Sequence, residues 1–130
     1  MILLDTHVVL WVTSDPSRLS AKAKATIEET RKIGESLAIC DITLLELATL
    51  ASKRRIDLTI SLESLLRELE QRFTVLPISS RACARTIEFP AKYPKDPADR
   101  IIAATALVEG LTLLTADREI RRSKVVPTIW

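Results

Sequence analysis

The sequence is short of glycine, cysteine and aromatic residues, and each shortage excludes a class of protein. Two glycines and six prolines in 130 residues exclude low-complexity sequence and long flexible linkers. Two cysteines, Cys40 and Cys83, lie too far apart for a zinc site or a disulfide framework, so we expect reduced, packed thiols. One tyrosine, two phenylalanines and two tryptophans are few for a sheet that stacks nucleic-acid bases. We therefore predict that Trp11 and Trp130 pack in the core and at the terminus.

Long hydrophobic runs and a strong net charge are also missing. No apolar run approaches the roughly 18 residues that a membrane span requires. The amino terminus has an acid at position 5 and lacks the basic flank of a signal peptide. We therefore expect a cytoplasmic protein. The formal charge of +2, from 19 basic and 17 acidic residues, permits nucleic-acid binding without requiring it.

Short apolar segments alternate with longer segments of helical periodicity. The predicted strands are Ile2 to Leu4, Leu37 to Cys40, Phe73 to Ile78, Leu111 to Leu114 and Val125 to Ile129. The predicted helices run from a Ser20 cap to about Ile33, with Gly34 closing it, from Thr43 to Ser52, from Leu62 to Phe73, from a Ser79 cap to about Phe89, and from Pro97 to Gly110. This alternation predicts a single α/β domain, residues 1–130, built as a three-layer α/β/α sandwich with a mostly parallel sheet.

Four acidic residues fall where the carboxyl ends of parallel strands would meet. Asp5 and Asp41 follow the first two strands, and Asp117 follows the fourth. Asp99 lies in the first turn of the helix that starts near Pro97. In an open α/β sheet, this edge carries the ligand-binding crevice.

Glu46 is a further informative acid. In the segment TLLELATLASK it lies in a narrow polar stripe among leucine and alanine side chains. An ionised carboxylate that is buried without a partner costs several kcal/mol, so such a glutamate must be neutral, paired with a base or bound to a cation. The same argument applies to Asp99.

Most of these acids also have a purely structural explanation. Asp41 and Asp96 fit helix N-caps, and Asp117 fits a cap of the short helix that follows it. Asp99 is favourable at the positive end of a helix dipole. The two remaining acids occupy no obvious cap.

Several carboxylates at one crevice predict a divalent cation. They repel one another, and a hard cation with oxygen ligands, such as Mg²⁺ or Mn²⁺, relieves the repulsion. Without Asp5, Glu46, Asp99 and Asp117, the chain has 19 basic and 13 acidic residues, a balance of +6. A negative crevice in a positive surface suits metal-assisted hydrolysis of a phosphodiester.

Four segments around these acids are similar, in order and spacing, to the PIN-domain ribonucleases, and in particular to the toxin subunit of VapBC-type toxin–antitoxin pairs. The segments are LLDTHVVLW, ITLLELATL, DPADRIIAATA and LLTADREI, and together they span almost the whole chain. The resemblance implies an α/β/α sandwich with Mg²⁺- or Mn²⁺-dependent endoribonuclease activity and products that carry a 5′-phosphate and a 3′-hydroxyl.

The resemblance also assigns residues. It assigns catalysis and metal binding to Asp5, Glu46, Asp99 and Asp117. Residues that would support this site or contact the substrate are Thr6, Thr115, Asp96 and Arg100. Lys95, Arg100 and Arg118 would follow the RNA backbone, with internal pairing to an acid as the alternative for Arg100.

The chain departs from the family pattern at a few positions. Asp41 stands where a small residue or serine is more usual, and Pro94 with Lys95 replaces a His-Arg pair; both changes bear on substrate choice. The only histidine, His7, is predicted to pack or to hydrogen-bond rather than to act as a general base. The basic run 53–55 fits a solvated helix end, with RNA contact as the alternative.

The resemblance further implies a homodimer and a cognate antitoxin that blocks the site. The helices Thr43 to Ser52 and Leu62 to Phe73 offer apolar stripes for such partners, although an ordinary core needs the same stripes. Two other functions stay open from the residues alone. A phosphoacceptor signalling module also gathers acids around Mg²⁺ but requires paired acids after its first strand. A non-catalytic binding domain predicts that the four acids are dispersed.

Overall fold

The computed structural model of the protein describes residues 1–53 and 58–130, which form one parallel sheet with helices on both faces. The strands are β1 Ile2–Leu4, β2 Leu37–Cys40, β3 Thr74–Leu76, β4 Leu113–Leu114 and β5 Thr128–Ile129, in the spatial order β3-β2-β1-β4-β5. The helices are α1 Thr6–Ser14, α2 Ala21–Lys32, α3 Asp41–Ser52, α4 Leu62–Arg72, α5 Ser80–Thr86, α6 Pro97–Glu109 and α7 Arg118–Ser123, with a 3₁₀ helix at Pro16–Arg18. The predicted α/β fold with a parallel sheet is confirmed.

Neighbouring residues of each strand face opposite sides of the sheet, as the pleat requires. In β1, Leu3 packs in the cluster that contains α6, whereas Leu4 packs in the cluster that contains α1. Leu113 and Leu114 divide in the same way in β4. Each face therefore has its own hydrophobic core, which accounts for helices on both sides.

Three predicted strands, β3, β4 and β5, are shorter than expected, and in β3 and β4 the missing ends belong to neighbouring helices and turns. Phe73 is the C-cap residue of α4, and Pro77, which has no N–H to donate, follows the last residue of β3. Gly110 adopts a left-handed conformation with φ of 66° after α6, and the amide of Leu111 donates to the carbonyl of Ala106. Leu111 is thus bonded to the end of α6, and β4 begins only at Leu113.

The predicted N-caps are confirmed at four helices and wrong at one. Ser20, Ser79, Asp96 and Asp117 each accept backbone N–H groups of the helix that follows. Asp41 is instead the first residue of α3, and its carboxylate accepts the amide of Ile78 at 3.2 Å. It therefore ties α3 to the connection between β3 and α5 rather than capping its own helix.

No helix was predicted after β1, yet α1 begins there. Its valines, Val8 and Val9, are β-branched and favour strands, so propensity argues against this helix. Burial of both valines in the core outweighs that preference. Within the described residues, no helix combines the length and the apolar character that crossing a bilayer demands.

The two cysteines differ in exposure. Cys40 is buried in β2, as predicted, whereas Cys83 is exposed on α5, so the prediction that both thiols are packed is wrong for Cys83. Both are unpaired thiols.

Candidate active site

One cavity of about 340 Å³ lies at the carboxyl edge of the sheet, and the predicted acids line it. The lining residues are Asp5, Thr6, His7, Trp11, Glu46, Asp96, Asp99, Ala116 and Asp117. Asp5 and Asp117 follow the paired strands β1 and β4, so the parallel register brings them to the same edge. Helices α3 and α6 pack against each other and add Glu46 and Asp99 from their first two turns.

Asp5 is the most buried acid of the cavity, with 7% of its surface exposed. Its two oxygens accept hydrogen bonds from the Thr115 hydroxyl at 2.7 Å and from the Thr6 amide at 2.9 Å. The Asp117 amide donates in turn to the Thr115 hydroxyl. Burial raises the pKa of Asp5 above its usual range, and the Thr115 hydrogen bond opposes this increase. The protein thus holds a desolvated carboxyl group in one fixed orientation.

Glu46 is held by threonines. The hydroxyl of Thr6 donates to Glu46 at 2.5 Å and lies 3.1 Å from the hydroxyl of Thr43. Burial raises the pKa of Glu46, and the charges of Asp5 and Asp96 raise it further. Thr6 therefore connects two acids of the cavity, since its amide binds Asp5 and its hydroxyl binds Glu46.

Asp99 is the acid most affected by its neighbours. Burial first, and then the charges of Asp5, Asp96, Glu46 and Asp117, raise its pKa to about 7. Among residues 1–53 and 58–130, no lysine or arginine forms an ion pair with any acid of the cavity. No basic residue of these two ranges therefore neutralises the repulsion between the carboxylates.

The cap explanation and the site explanation hold together for Asp96 and Asp117. In each residue, one carboxylate oxygen accepts the helix amides, at 2.8 and 3.4 Å for Asp96 and at 2.8 and 3.1 Å for Asp117. In the described part of the chain, the second oxygen of each has no protein donor. Both side chains can cap a helix and present an oxygen to the cavity.

In the described residues, Arg100 does not make the internal pairing with an acid that was predicted as its alternative role. Its guanidinium donates to the carbonyl oxygens of Pro94, Thr86 and Tyr93 at 3.0, 3.2 and 3.3 Å. The Tyr93 hydroxyl donates to the backbone carbonyl of Asp99 at 3.2 Å. Arg100 thus fastens the loop before α6 to the first turn of that helix.

The other basic residues predicted to contact RNA lie at different places relative to the acidic cavity. Arg118 is exposed directly after Asp117. Lys95 lies in a neighbouring apolar cavity rather than in the acidic one. Lys53 is exposed at the end of α3, and Arg54 and Arg55 lie outside the described residues.

Two aromatic residues of the cavity were not predicted to be there. His7 is exposed and makes no hydrogen bond in the described structure, but its ring lies against that of Trp11, with the centroids 6.1 Å apart, so of its two predicted roles only the packing contact is present. Trp11 packs on the core, as predicted, but one side of it also lines the cavity. Both were missed because α1 was not predicted, and it is the helical spacing of α1 that places residues 7 and 11 on one face.

The donor set fits a hydrated divalent cation. In the described ranges, no three or more histidine, cysteine or acidic side chains form a cage that could hold a metal ion. Mg²⁺ needs no such cage, because it retains several waters and binds through one or two carboxylates. The cavity supplies hard oxygen donors, and their pKa values are raised partly by mutual repulsion, which a cation would relieve.

The fold and the cavity define a small parallel α/β domain with an acidic site at the carboxyl edge of its sheet. The PIN domain family model matches residues 2–125, and the chain belongs to this family. It is 38% identical over 131 residues to Ribonuclease VapC22 of Mycobacterium tuberculosis, with 99% of this chain and 98% of that protein covered.

Solved structures agree with this fold. A VapBC2 structure from Rickettsia felis, bound to a promoter DNA fragment, matches with a TM-score of 0.75 and 21% identity over 99% of this chain and 98% of that one. A DNA-bound VapBC structure from Salmonella typhimurium matches with a TM-score of 0.70 and 25% identity over 99% and 98% of the two chains.

Proposed function

We propose that the protein is a divalent-metal-dependent endoribonuclease of the cytoplasm and the toxin of a toxin–antitoxin pair. One observation carries the proposal: Asp5, Glu46, Asp99 and Asp117 line a single cavity that supplies no cationic partner in the described residues. The 38% identity to a protein named a ribonuclease supports RNA as the substrate.

In this proposal the four carboxylates hold Mg²⁺ or Mn²⁺, directly or through water. A bound ion of this kind lowers the pKa of water and stabilises the charge that develops on a phosphodiester. Thr115 and Thr6 hold the two oxygens of Asp5 in place by hydrogen bonds, and Thr6 holds Glu46; these contacts would orient both carboxylates for a bound ion. Fixed second partners of this type orient ligands and typically change metal affinity or activity by roughly 10–100-fold.

The two rival functions lose support for different reasons. The PIN family match over residues 2–125 argues against a phosphoacceptor signalling module. A non-catalytic binding domain predicted that the acids are dispersed, whereas all four line one cavity.

The test compares two helical glutamates, one in the cavity and one outside it. We expect Glu46→Gln to lower RNA cleavage by about 100-fold or more, because even an outer partner of a metal site contributes roughly 10–100-fold. Glu68→Gln, an exposed position on α4, should cleave like the wild type. Cleavage should require added Mg²⁺ or Mn²⁺ and should stop with EDTA. Cleavage that persists in EDTA, or in Glu46→Gln, would refute the proposal.

The proposal includes a cognate antitoxin that covers the acidic cavity and a homodimer. Two large apolar side chains are exposed on this part of the surface: Leu45 on α3 is 62% exposed and lies in a groove with Thr6 and Glu46, and Ile78 before α5 is 41% exposed and lines a neighbouring apolar cavity. An exposed apolar patch of this kind marks a contact surface, and a second copy would cover it symmetrically.

Light scattering tests both partners. The protein alone should have the mass of a dimer, and Leu45→Glu should shift it to a monomer because the charge would be buried at the interface. Ile33→Glu is the matched control, since Ile33 is 58% exposed at the distant end of α2 and should leave the mass unchanged. A monomeric wild type that does not bind the product of the adjacent gene would remove partners from the proposal.

A further inference from the structure

An aromatic and basic group lies at the rim of the acidic cavity, and the mechanism above does not use it. We call it the rim group and define it as His7, Trp11 and Arg18. His7 and Trp11 line the cavity beside the acids, from one face of α1. Arg18 belongs to the 3₁₀ helix that follows α1.

The side chains of Arg18 and His7 both lie against the ring of Trp11. The Arg18 guanidinium carbon lies 4.9 Å from the centroid of the Trp11 ring, and the imidazole centroid of His7 lies 6.1 Å from it. Arg18 and His7 are both exposed. In the described part of the chain, Arg18 forms no ion pair with an acid. A planar cation is therefore held against an indole ring with its charge available to a ligand.

Trp130 supports the group from behind. Its ring centroid lies 5.6 Å from that of Trp11, and both tryptophans pack on the same hydrophobic cluster. Trp11 is consequently fixed in place, with one part of its surface against the core and another in the cavity. A rigid aromatic surface loses little conformational entropy when a planar ligand stacks on it.

The chemistry of the rim group complements one part of a nucleic acid. Unstacked bases bind to aromatic side chains and to the plane of an arginine, and the positive charge attracts the neighbouring phosphate. Paired bases in an A-form duplex cannot stack in this way, because their faces are already covered. The acids beside the rim group repel phosphate, so a separate attractive contact is needed to hold the strand at the cavity.

We propose that the rim group binds an unpaired nucleobase that adjoins the scissile phosphodiester. The inference rests on the proposed nuclease function and names the residues that hold its substrate: one base that flanks the cleavage site lies against His7, Trp11 and Arg18. Preference for an unpaired base then comes from α1 and the 3₁₀ helix that follows it. Of the proposed metal-binding acids, only Asp5, the N-cap residue of α1, is adjacent to these elements in the sequence.

The test measures kcat and KM on an oligoribonucleotide that contains a mapped cleavage site. The double variant His7→Ala, Arg18→Ala should raise KM about tenfold and leave kcat nearly unchanged, since base stacking contributes binding rather than chemistry. Arg72→Ala is the matched control, because Arg72 also lies over an aromatic ring, Phe73, at 5.9 Å but outside the cavity. We expect wild-type kinetics from this control.

An abasic substrate separates a stacking role from a structural one. Removal of the base beside the scissile bond should raise the wild-type KM about tenfold and should raise that of the double variant by a smaller factor, because the variant has already lost part of the same interaction and retains only Trp11. The only tryptophans, Trp11 and Trp130, lie in contact at this rim, so their fluorescence reports binding directly. In the Glu46→Gln background, the intact strand should quench this fluorescence more than the abasic strand does.

The outcomes distinguish the two proposals. If Glu46→Gln is inactive, but abasic and intact strands have equal KM values or the double variant retains the wild-type KM, the rim proposal is overturned and the nuclease proposal stands. If Glu46→Gln cleaves like the wild type, the nuclease proposal fails first, and the rim proposal fails with it.

Discussion

Two cavities of similar size flank the first turn of α6 and have opposite chemistry. The acidic cavity has a volume of about 340 Å³ and receives Asp96 and Asp99 from this turn. The second, of about 370 Å³, has an apolar lining and receives Pro97, Ala98 and Ile101. Residues three apart share a helix face, so one DPADRI segment supplies both surfaces.

The difference between the cavities concerns how their polar groups are satisfied. On the apolar side, Arg100 has three backbone carbonyl partners. On the acidic side, the carboxylates raise one another's pKa values, and no lysine or arginine of the described residues pairs with them. Unrelieved charge repulsion costs stability, and a protein tolerates it where function requires it. Under the proposed function, the residues on the apolar side of the turn have structural roles and those on the acidic side perform the chemistry.

Removal of an acid from this turn should have the largest effect. Asp99→Asn should lower RNA cleavage by about 100-fold or more, because a metal-site partner is lost while the helix and its cap remain. The control is Glu109→Gln, an exposed acid at the other end of α6, which should cleave normally. Initial rates on a labelled RNA measure both. Equal rates for Asp99→Asn and wild type would show that the two sides of the turn do not differ in this way.

Removal of the arginine should affect stability instead. Arg100→Ala leaves three carbonyl groups without their charged donor and should lower the free energy of unfolding by about 2 kcal/mol. Arg100→Lys keeps the charge but not the planar fork, so it should recover less than half of that loss. Urea denaturation measures both variants. A fully stable Arg100→Ala would contradict the structural role assigned to the apolar side.

A smaller effect is expected on the acidic side of the turn, where the raised pKa of Asp99 should make the free energy of unfolding depend on pH. Because the pKa of Asp99 is raised from 3.8 to about 7 in the folded protein, its contribution to stability is present below about pH 4 and is lost as the pH rises through about 7. Asp99 is partly exposed, so solvent screening limits the loss to roughly 1 kcal/mol. Unfolding free energies at several pH values in EDTA should show this loss in wild type and a smaller loss in Asp99→Asn, in which Asp5 and Glu46 keep raised pKa values.

Added Mg²⁺ provides the counterpart to this measurement. A cation that binds only the folded protein stabilises it, and the gain should be larger above pH 7, where the carboxylates are charged. Mg²⁺ should therefore flatten the pH dependence of the wild type. An unchanged profile in Mg²⁺ would contradict a cation site among these acids.

Strand-end reasoning was sufficient to predict which acids belong together. Asp5 and Asp117 follow neighbouring parallel strands, so a parallel sheet alone brings them to one edge. The caps at Asp96 and Asp117 were also predictable, since capping depends on a few consecutive residues. The partners of Arg100 were not, because three carbonyl groups converge only after the loop before α6 is folded.

Helix α1 was not predictable from the sequence. Its valines carry a strand preference, and the burial that overrides it depends on the whole core. Because this helix was not predicted, the shared face of His7 and Trp11 was not predicted either, and Trp11 was assigned to packing alone. A cap signal existed, because Asp5 precedes Thr6 and accepts its amide, but it was obscured by the second role of the same carboxylate in the cavity.

The smallest expected effect uses the two thiols. Cys83 is exposed and lines the apolar cavity, whereas Cys40 is fully buried in β2, where burial raises the pKa of its thiol. A thiol reagent needs both access and thiolate, so Cys83 should react first and Cys40 only as the protein unfolds. Cys83→Ser should remove the fast phase of the reaction without changing RNA cleavage, because the apolar side supplies no group to the acidic cavity. A loss of cleavage in this variant would show that the two cavities are coupled through α6 and would end the separation of roles across its first turn.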